Sequence, residues 1–181
     1  MKKYEDILID LPLVNQKTDT KDSKWARKSC GICSLKMVLA WNSVKTTELP
    51  VMKLVKEAIA LDGYINDIGW KHKVIVALAG RHGLKMGFAK KFFVTKSQKE
   101  KGLALLNKKL KARKPVLISI FHEFNIKNGG HIVVVNGLRK NGNKVVGYFI
   151  QDPHPEFKGY NYFVSKKRLT DNWRGGLIFP V

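Results

Sequence analysis

Two cysteines, one histidine and one aspartate carry most of the chemistry this sequence can offer. Cys30 and Cys33 stand as Cys30-Gly31-Ile32-Cys33, where a polar run, TDTKDSKWARKS, gives way to residues that are apolar nearly all round. The apolar stretch continues to Trp41, about three turns, and a segment apolar on every face belongs inside a domain as a buried helix. Ser29 and Gly31 fit the start of that helix, where backbone N–H groups lack intrahelical partners. A thiol at this end faces the positive pole of the helix dipole, which favours thiolate over thiol. Cys30 is therefore the candidate nucleophile, and Cys33, one turn further in, reads as a small buried hydrophobe.

A nucleophile of this kind needs a base on a rigid element. His131 follows Gly129 and Gly130 and opens the most hydrophobic run of the chain, HIVVVNGL. The next run, KVVGYFI, delivers Asp152 just past its end, followed by Pro153. Between the two lies RKNGN, whose Asn-Gly is a strong hairpin signal. On antiparallel neighbours, the start of one strand and the end of the next share a sheet edge. A carboxylate there can accept from one imidazole nitrogen while the other nitrogen faces a thiol, which generates a thiolate–imidazolium pair. Taken singly, His131 reads as a satisfied histidine at a sheet edge and Asp152 as a turn former before proline. As a trio with the right connectivity they predict a Cys-His-Asp site.

The elements that must position this trio follow from pattern. Tyr4 to Val14 is extended, with Pro12 blocking a helix, and residues 15–29 form a polar loop carrying one large apolar side chain, Trp25. After the central helix, which ends near Ser43, a second helix is expected over Leu49 to Leu61 with Thr47 as its cap. DGYINDIG reads as a loop, and Trp70 to Gly83 as a helix with Gly83 its left-handed terminator. Leu84 to Phe88 and Phe92 to Thr95 are short-strand candidates. Ser97 to Lys111 is a surface helix with Ser97 and Glu100 as a capping box. Strands are expected at Pro115 to Phe121, His131 to Leu138, Lys144 to Ile150, Tyr160 to Val164 and Gly176 to Pro180, with a loop over Gln151 to Gly159. Helices first and an antiparallel sheet afterwards predict an α+β fold. No repeat or low-complexity linker divides the chain, so a single domain over 1–181 is expected, with 1–15 as its N-terminal extended segment.

The 34 Lys+Arg against 14 Asp+Glu give a net charge of +20, enough to steer acidic partners electrostatically. Only six of those cations are arginines, the residue that bidentate phosphate and base readout favours. No zinc-finger spacing, basic-region heptads or RNP-type aromatic motif is present, so sequence-specific nucleic-acid binding is not expected. Glu5, Asp6 and Asp10 interrupt Met1 to Val14, which therefore lacks the core of a signal peptide. No stretch is apolar for the roughly 18 residues a membrane span needs. The expected compartment is the cytoplasm, where a C-x-x-C suggests chemistry or packing rather than a disulfide framework.

The segments DLPLVNQ, CGICSLKMVL, GGHIVVVNGL and FIQDP, with the helical GWKHKVIVALAGRHGL between them, resemble the papain-like double-glycine peptidases. That family trims leader peptides from bacteriocin precursors and has many free-standing relatives. The resemblance runs from Leu11 through most of the chain. It implies a papain-like domain in which helices, one bearing the nucleophile, pack on a C-terminal antiparallel sheet. It also implies Cys30 as nucleophile, His131 as base, Asp152 as the partner orienting it, and Gln16 as oxyanion-hole donor. In transporter-linked members the glutamine lies six residues before the cysteine, a position held here by Lys24. Gln16 takes the role if residues 17–29 form a longer loop. In the double-glycine group the nucleophile directly precedes glycine, whereas papain-type enzymes use the second cysteine of Cys-Gly-x-Cys. The glycine and the missing aromatic after Cys33 favour Cys30.

Other readings compete. A thioredoxin-like redox C-x-x-C should follow a buried parallel strand, and TDTKDSKWARKS is none. Metal binding would need further ligands, and His72, His82, His122 and His154 look scattered and unpaired, so no metal and no cofactor is expected. A non-catalytic papain-like domain that binds peptides, and acyl transfer in place of hydrolysis, both remain open. The reading that unites most of the residues is a cysteine peptidase acting on a peptide or isopeptide bond of a peptide or protein, acidic partners being attracted by the charge.

Overall fold

The computed structural model describes residues 3–89, 95–154 and 160–181. The apolar stretch folds into helix α1 (Cys30–Asn42), and Ile32, Cys33, Leu35, Met37, Val38 and Leu39 are all fully buried. A helix with no polar face must be covered on all sides. Strand β6 (Gly130–Asn141) covers one side, and helices α2 (Val51–Ala60) and α3 (His72–Arg81) pack on the helix as well. Ser34 turns the one buried hydroxyl of this surface to use, its Oγ donating to the carbonyl of Ile132 at 2.9 Å. Truncating a fully buried leucine such as Leu35 to alanine in such a setting costs about 2–5 kcal/mol.

The main sheet is antiparallel, in the order β4 (Met86–Ala89), β9 (Trp173–Pro180), β5 (Val116–Phe121), β6, β7 (Lys144–Gln151) and β8 (Tyr162–Ser165). Strand β1 (Tyr4–Leu8) pairs the far half of β6, Tyr4 opposite Asn141 and Leu8 opposite Gly137, while β5 pairs its near half. Helices α4 (Lys96–Lys111) and α5 (Lys166–Asn172) pack against the sheet. Residues 131–138 of β6 are buried throughout, which is why HIVVVNGL reads as a continuous apolar run and not an alternating one. The α+β class expected from the order of patterns is the observed one, and the helices pack on the antiparallel sheet as the resemblance to papain-like peptidases implies.

The Asn-Gly signal is realised as a two-residue turn, Asn141 pairing Lys144 around Gly142 at φ 57°. Gly83 ends α3 at φ 80°, with the Leu84 amide bonded back to the carbonyl of Ala79.

Local expectations needed adjustment elsewhere. The capping box of α4 is Thr95 and Gln98, not Ser97 and Glu100. Both pairs fit the S/T-x-x-E/Q pattern, and the earlier one wins because Thr95 is already extended while Ser97 lies inside the first turn. Pro50, not Thr47, stands before α2, whose range is two residues shorter at its start than expected. DGYINDIG is not wholly a loop, since β2 (Tyr64–Ile65) and β3 (Gly69–Trp70) form a small hairpin, and Trp70 belongs to it and not to α3. Ser29 precedes α1 but does not cap it; its Oγ meets Thr20 Oγ1 at 2.8 Å. The candidate strand Phe92 to Thr95 falls outside the described residues except for Thr95, and the loop Gln151 to Gly159 is described only to His154.

Candidate active site

Each chemical side chain arrives on a different element. Cys30 is the first residue of α1 and half-buried; His131 is the second of β6; Asp152 follows the last residue of β7. His131 and Asp152 are both buried, and the His131 Nε2 stands 2.6 Å from Asp152 Oδ1. The same imidazole lines a cleft with Cys30 and acts on its thiol. With Nε2 held by the carboxylate, Nδ1 is the nitrogen left for sulfur.

The electrostatics follow from that contact. Burial by itself would raise the Cys30 thiol, but the hydrogen bond and charge of His131, aided by the Ile132 backbone, pull it below its ordinary value. Burial would lower His131, yet the adjacent Asp152 carboxylate and the sulfur outweigh it and raise the imidazole to about 10. The two shifts run in the directions that favour a thiolate beside an imidazolium. Cys33 contrasts sharply: burial pushes it up to about 12, against its hydrogen bonds with Ser29 and Thr20.

Asp152 is itself held from three sides. Its Oδ1 also accepts from the His154 amide at 2.8 Å, and Oδ2 accepts from the Tyr162 hydroxyl at 3.3 Å. Burial, then the Asp152 charge, push the Tyr162 hydroxyl well above its ordinary value, so it stays a donor.

Gln16 is buried, and its backbone N–H donates to the Pro153 carbonyl at 2.8 Å, next to Asp152. Its Oε1 has no hydrogen-bond partner among the described residues. Gln16 and Cys30 line the same cleft, of about 440 Å³, together with Lys17, Arg27, Gly129, Gly130 and the histidines 122, 131 and 154. Residues 17–29 thus form the longer loop that brings Gln16 to the cysteine. Trp25 pins the loop's middle, its ring centroid 5.1 Å from Tyr64 and 5.6 Å from Trp70.

On the other side of Cys30 lies a second cleft of about 350 Å³. Ile65, Ile68, Trp70 and Phe88 give it apolar walls, and Lys71, Lys73 and Arg174 a cationic rim. Ile68 is 70% exposed, a large apolar side chain left for something to cover. Gly31 makes the junction possible: a Cβ there would lie 3.1 Å from both Ile132 Cδ1 and Trp70 Cδ1.

The remaining histidines are not all scattered. His82 pairs Glu57 at 2.8 Å, but His122 and His154 stand with ring centroids 4.7 Å apart, His122 only 4.8 Å from His131. Burial and the neighbouring imidazoles lower His122 below the usual histidine value. The expectation that these histidines lie apart is corrected. The signal was present: His122 directly follows one strand, His131 opens the next and His154 lies just past a third, so antiparallel pairing puts all three at one sheet edge.

A sequence model of the Peptidase_C39 like family matches residues 8–175. The chain belongs to that family. It is accordingly a cysteine peptidase, a hydrolase, and the redox reading falls away. No curated protein matches the sequence. Among solved structures it is similar to a C39-like peptidase from Bacillus anthracis, with TM-score 0.69 and 18% identity over 98% of both chains. A double glycine motif protease from an AMS/PCAT transporter, solved with its leader peptide, matches at TM-score 0.56 and 18% identity, over 96% of this chain and 94% of that one. The peptidase domain of Streptococcus ComA matches at TM-score 0.58 and 20% identity, over 93% and 96%. At these identities the likeness is one of fold. No helix among the described residues is long and apolar enough to cross a membrane.

Proposed function

We propose that this C39-like peptidase, acting as a single domain over 1–181, hydrolyses a peptide or isopeptide bond through Cys30, His131 and Asp152. The observation that carries the reading is one buried imidazole, held by Asp152 at 2.6 Å on Nε2 and lining the same cleft as the half-buried Cys30. The thiolate attacks the scissile carbonyl, forming a C–S bond and an oxyanion. The Gln16 side chain and backbone N–H groups at the start of α1 are the donors available to that oxyanion. His131 gives its proton to the departing amine as the C–N bond breaks, leaving a thioester. It then takes a proton from the water that attacks the thioester; the C–S bond breaks, the acid leaves, and sulfur departs as thiolate beside the reprotonated imidazole, the state in which the cycle began. Asp152 keeps the ring oriented and stabilises it when charged.

The substrate is a peptide or a protein segment lying across both clefts. The apolar walls formed by Ile65, Ile68 and Phe88 suit an apolar side chain, and Lys17, Arg27, Lys71, Lys73 and Arg174 favour acidic residues beside it. The leader peptide bound by the transporter protease of the same fold is one substrate of this general kind.

The test combines labelling with turnover. Iodoacetamide at neutral pH, followed by mass spectrometry, is expected to modify Cys30 before Cys33. A peptide library enriched in acidic residues is expected to yield substrates cut by the wild type and untouched by Cys30→Ala. Preferential labelling of Cys33, or cleavage that survives Cys30→Ala, overturns the assignment. Tight binding of library peptides without cleavage would favour the peptide-binding reading instead.

A further inference from the structure

Three groups beside the reacting trio share a feature the proposed peptide chemistry does not use. His122, Glu123 and His154 each present one ligand atom, and those atoms all lie within 4.8 Å of one another. We propose that His122, His154 and Glu123 form a binding site for a divalent transition metal, Zn²⁺ above all, and that the bound cation closes the cleft over Cys30.

Two imidazoles and a carboxylate make a borderline N/O donor set, which suits Zn²⁺ and not the all-oxygen cations. Tetrahedral zinc with bonds of about 2.1 Å places its ligand atoms about 3.4 Å apart, so the cluster need tighten by no more than roughly 1.4 Å. The exposed Glu123 side chain supplies that freedom. The backbone that carries the imidazoles is better fixed. The His122 amide donates to the Gly129 carbonyl at 3.0 Å, and the His122 carbonyl accepts from the Asn125 amide at 3.1 Å and Asn128 Nδ2 at 3.2 Å. The His154 amide is tied to Asp152 at 2.8 Å. Asn128 Nδ2 also reaches Glu123 Oε2 at 3.4 Å, the kind of outer contact that orients a metal-binding carboxylate.

An independent observation points to a ligand: His154 Nδ1 is buried and has no hydrogen-bond partner among the described residues. A buried ring nitrogen without a partner is costly, and a metal ion satisfies it. Lys17 and Arg27 line the same cleft and repel a cation, so the expected affinity is micromolar and not that of a structural zinc site. The site opens on the cleft that Gln16 and Cys30 also line. A metal ion with its remaining water ligands occupies the space a substrate carbonyl would enter. Binding itself is independent of the proposed peptidase chemistry; its effect on turnover rests on that reading.

The experiment titrates the full chain with ZnSO₄ against a chromophoric chelator, for the wild type, His122→Gln, His154→Gln, Glu123→Gln and Cys30→Ala, with melting recorded for each. One zinc per chain is expected, with both histidine variants weaker by about 10–100-fold or more and Cys30→Ala unchanged within a few-fold. Glu123→Gln changes an exposed side chain, and a weakening there carries the result should a histidine variant fail to fold. Alkylation of Cys30 is expected to slow under zinc in the wild type and not in His122→Gln. Absence of binding at about 100 μM zinc, binding kept in either histidine variant, or binding lost in Cys30→Ala overturns the site. Unchanged alkylation under stoichiometric zinc overturns the closure. Zinc binding in a chain that cleaves no peptide would leave this site standing and remove the peptidase chemistry, and the reverse outcome does the opposite.

Discussion

Replacing Asp152 by asparagine removes a charge and keeps a shape. The asparagine oxygen can accept from His131 Nε2 and from the His154 amide, as Oδ1 does now at 2.6 and 2.8 Å, and its amide can donate to the Tyr162 hydroxyl. What is lost is the attraction between carboxylate and imidazolium. A hydrogen bond to a charged group contributes about 1.5–3 kcal/mol and a neutral one about 0.5–1.5, a difference near the 1.36 kcal/mol that makes tenfold in rate. The full Coulomb attraction of unit charges about 4 Å apart at an effective dielectric of about 20 is roughly 4 kcal/mol, or about a thousandfold. The expected fall in kcat/KM is therefore about 10–1000-fold, less than the roughly 10⁴ a serine triad loses, since a thiol ionises more readily. The melting midpoint should barely move, because a buried charge is exchanged for a buried neutral group with the same partners. Turnover and melting are measured side by side, with Cys30→Ala as the floor. Full turnover in Asp152→Asn alongside complete loss in His131→Ala would refute the reasoning and leave Asp152 a turn residue.

Stability against pH gives a second check. His131, raised to about 10 from an unfolded value of about 6.5, contributes stability fully below about 6.5 and loses it as pH rises through about 10. Cys30, lowered from the ordinary 9.0, contributes fully above that value and loses it as pH falls through its lowered one. The two slopes oppose one another from the lowered Cys30 value up to about 9, so Cys30→Ala should lose melting temperature relative to wild type as pH rises across that window; parallel profiles by scanning fluorimetry would contradict the coupled pair. Gly31→Ala forces a methyl against Ile132 and Trp70 at 3.1 Å and should cost about 1–3 kcal/mol, each kcal/mol lowering the midpoint by about 2–4 °C. An unchanged midpoint would mean the helix end can shift. DNA and RNA binding by the +20 chain should be blind to sequence and fade steeply with salt, as filter binding across a salt series would record; a salt-resistant preference for one sequence would contradict it.

Most of the fold was legible because its signals are local. An all-round apolar helix, an Asn-Gly turn and β-branched runs each declare themselves within a dozen residues, and the two-residue turn at Gly142 already implies that the ends of β6 and β7 meet. Helix starts were less legible, since Thr95 and Ser97 offer the same capping pattern and only the backbone at Thr95 chooses between them. The pairing of β1 with the far half of β6 could not be read, because partners such as Tyr4 and Asn141 are joined by no periodicity. At the candidate site, the Tyr162 hydroxyl on Asp152 and the stacking of Trp25 on Trp70 depend on loop paths that composition does not encode. The grouping of His122 with His154 was within reach. The rule that placed His131 beside Asp152 applies equally to His122, which follows β5, and to His154, just past the end of β7.

The loop from Gln16 to Cys30 carries a lesson about chain length. Its start is tied to the Pro153 carbonyl and its middle to the Trp70 ring, so what each end touches does not depend on how many residues lie between. Closure entropy grows only as the logarithm of length, and stretching an interval from six residues to fourteen costs about 0.7 kcal/mol. Changing the number of residues here therefore costs little closure entropy while the two anchors stay put. A search pattern that fixes a glutamine six residues before the cysteine would pass over Gln16, whereas one built on the Pro153 and Trp70 contacts would find this loop.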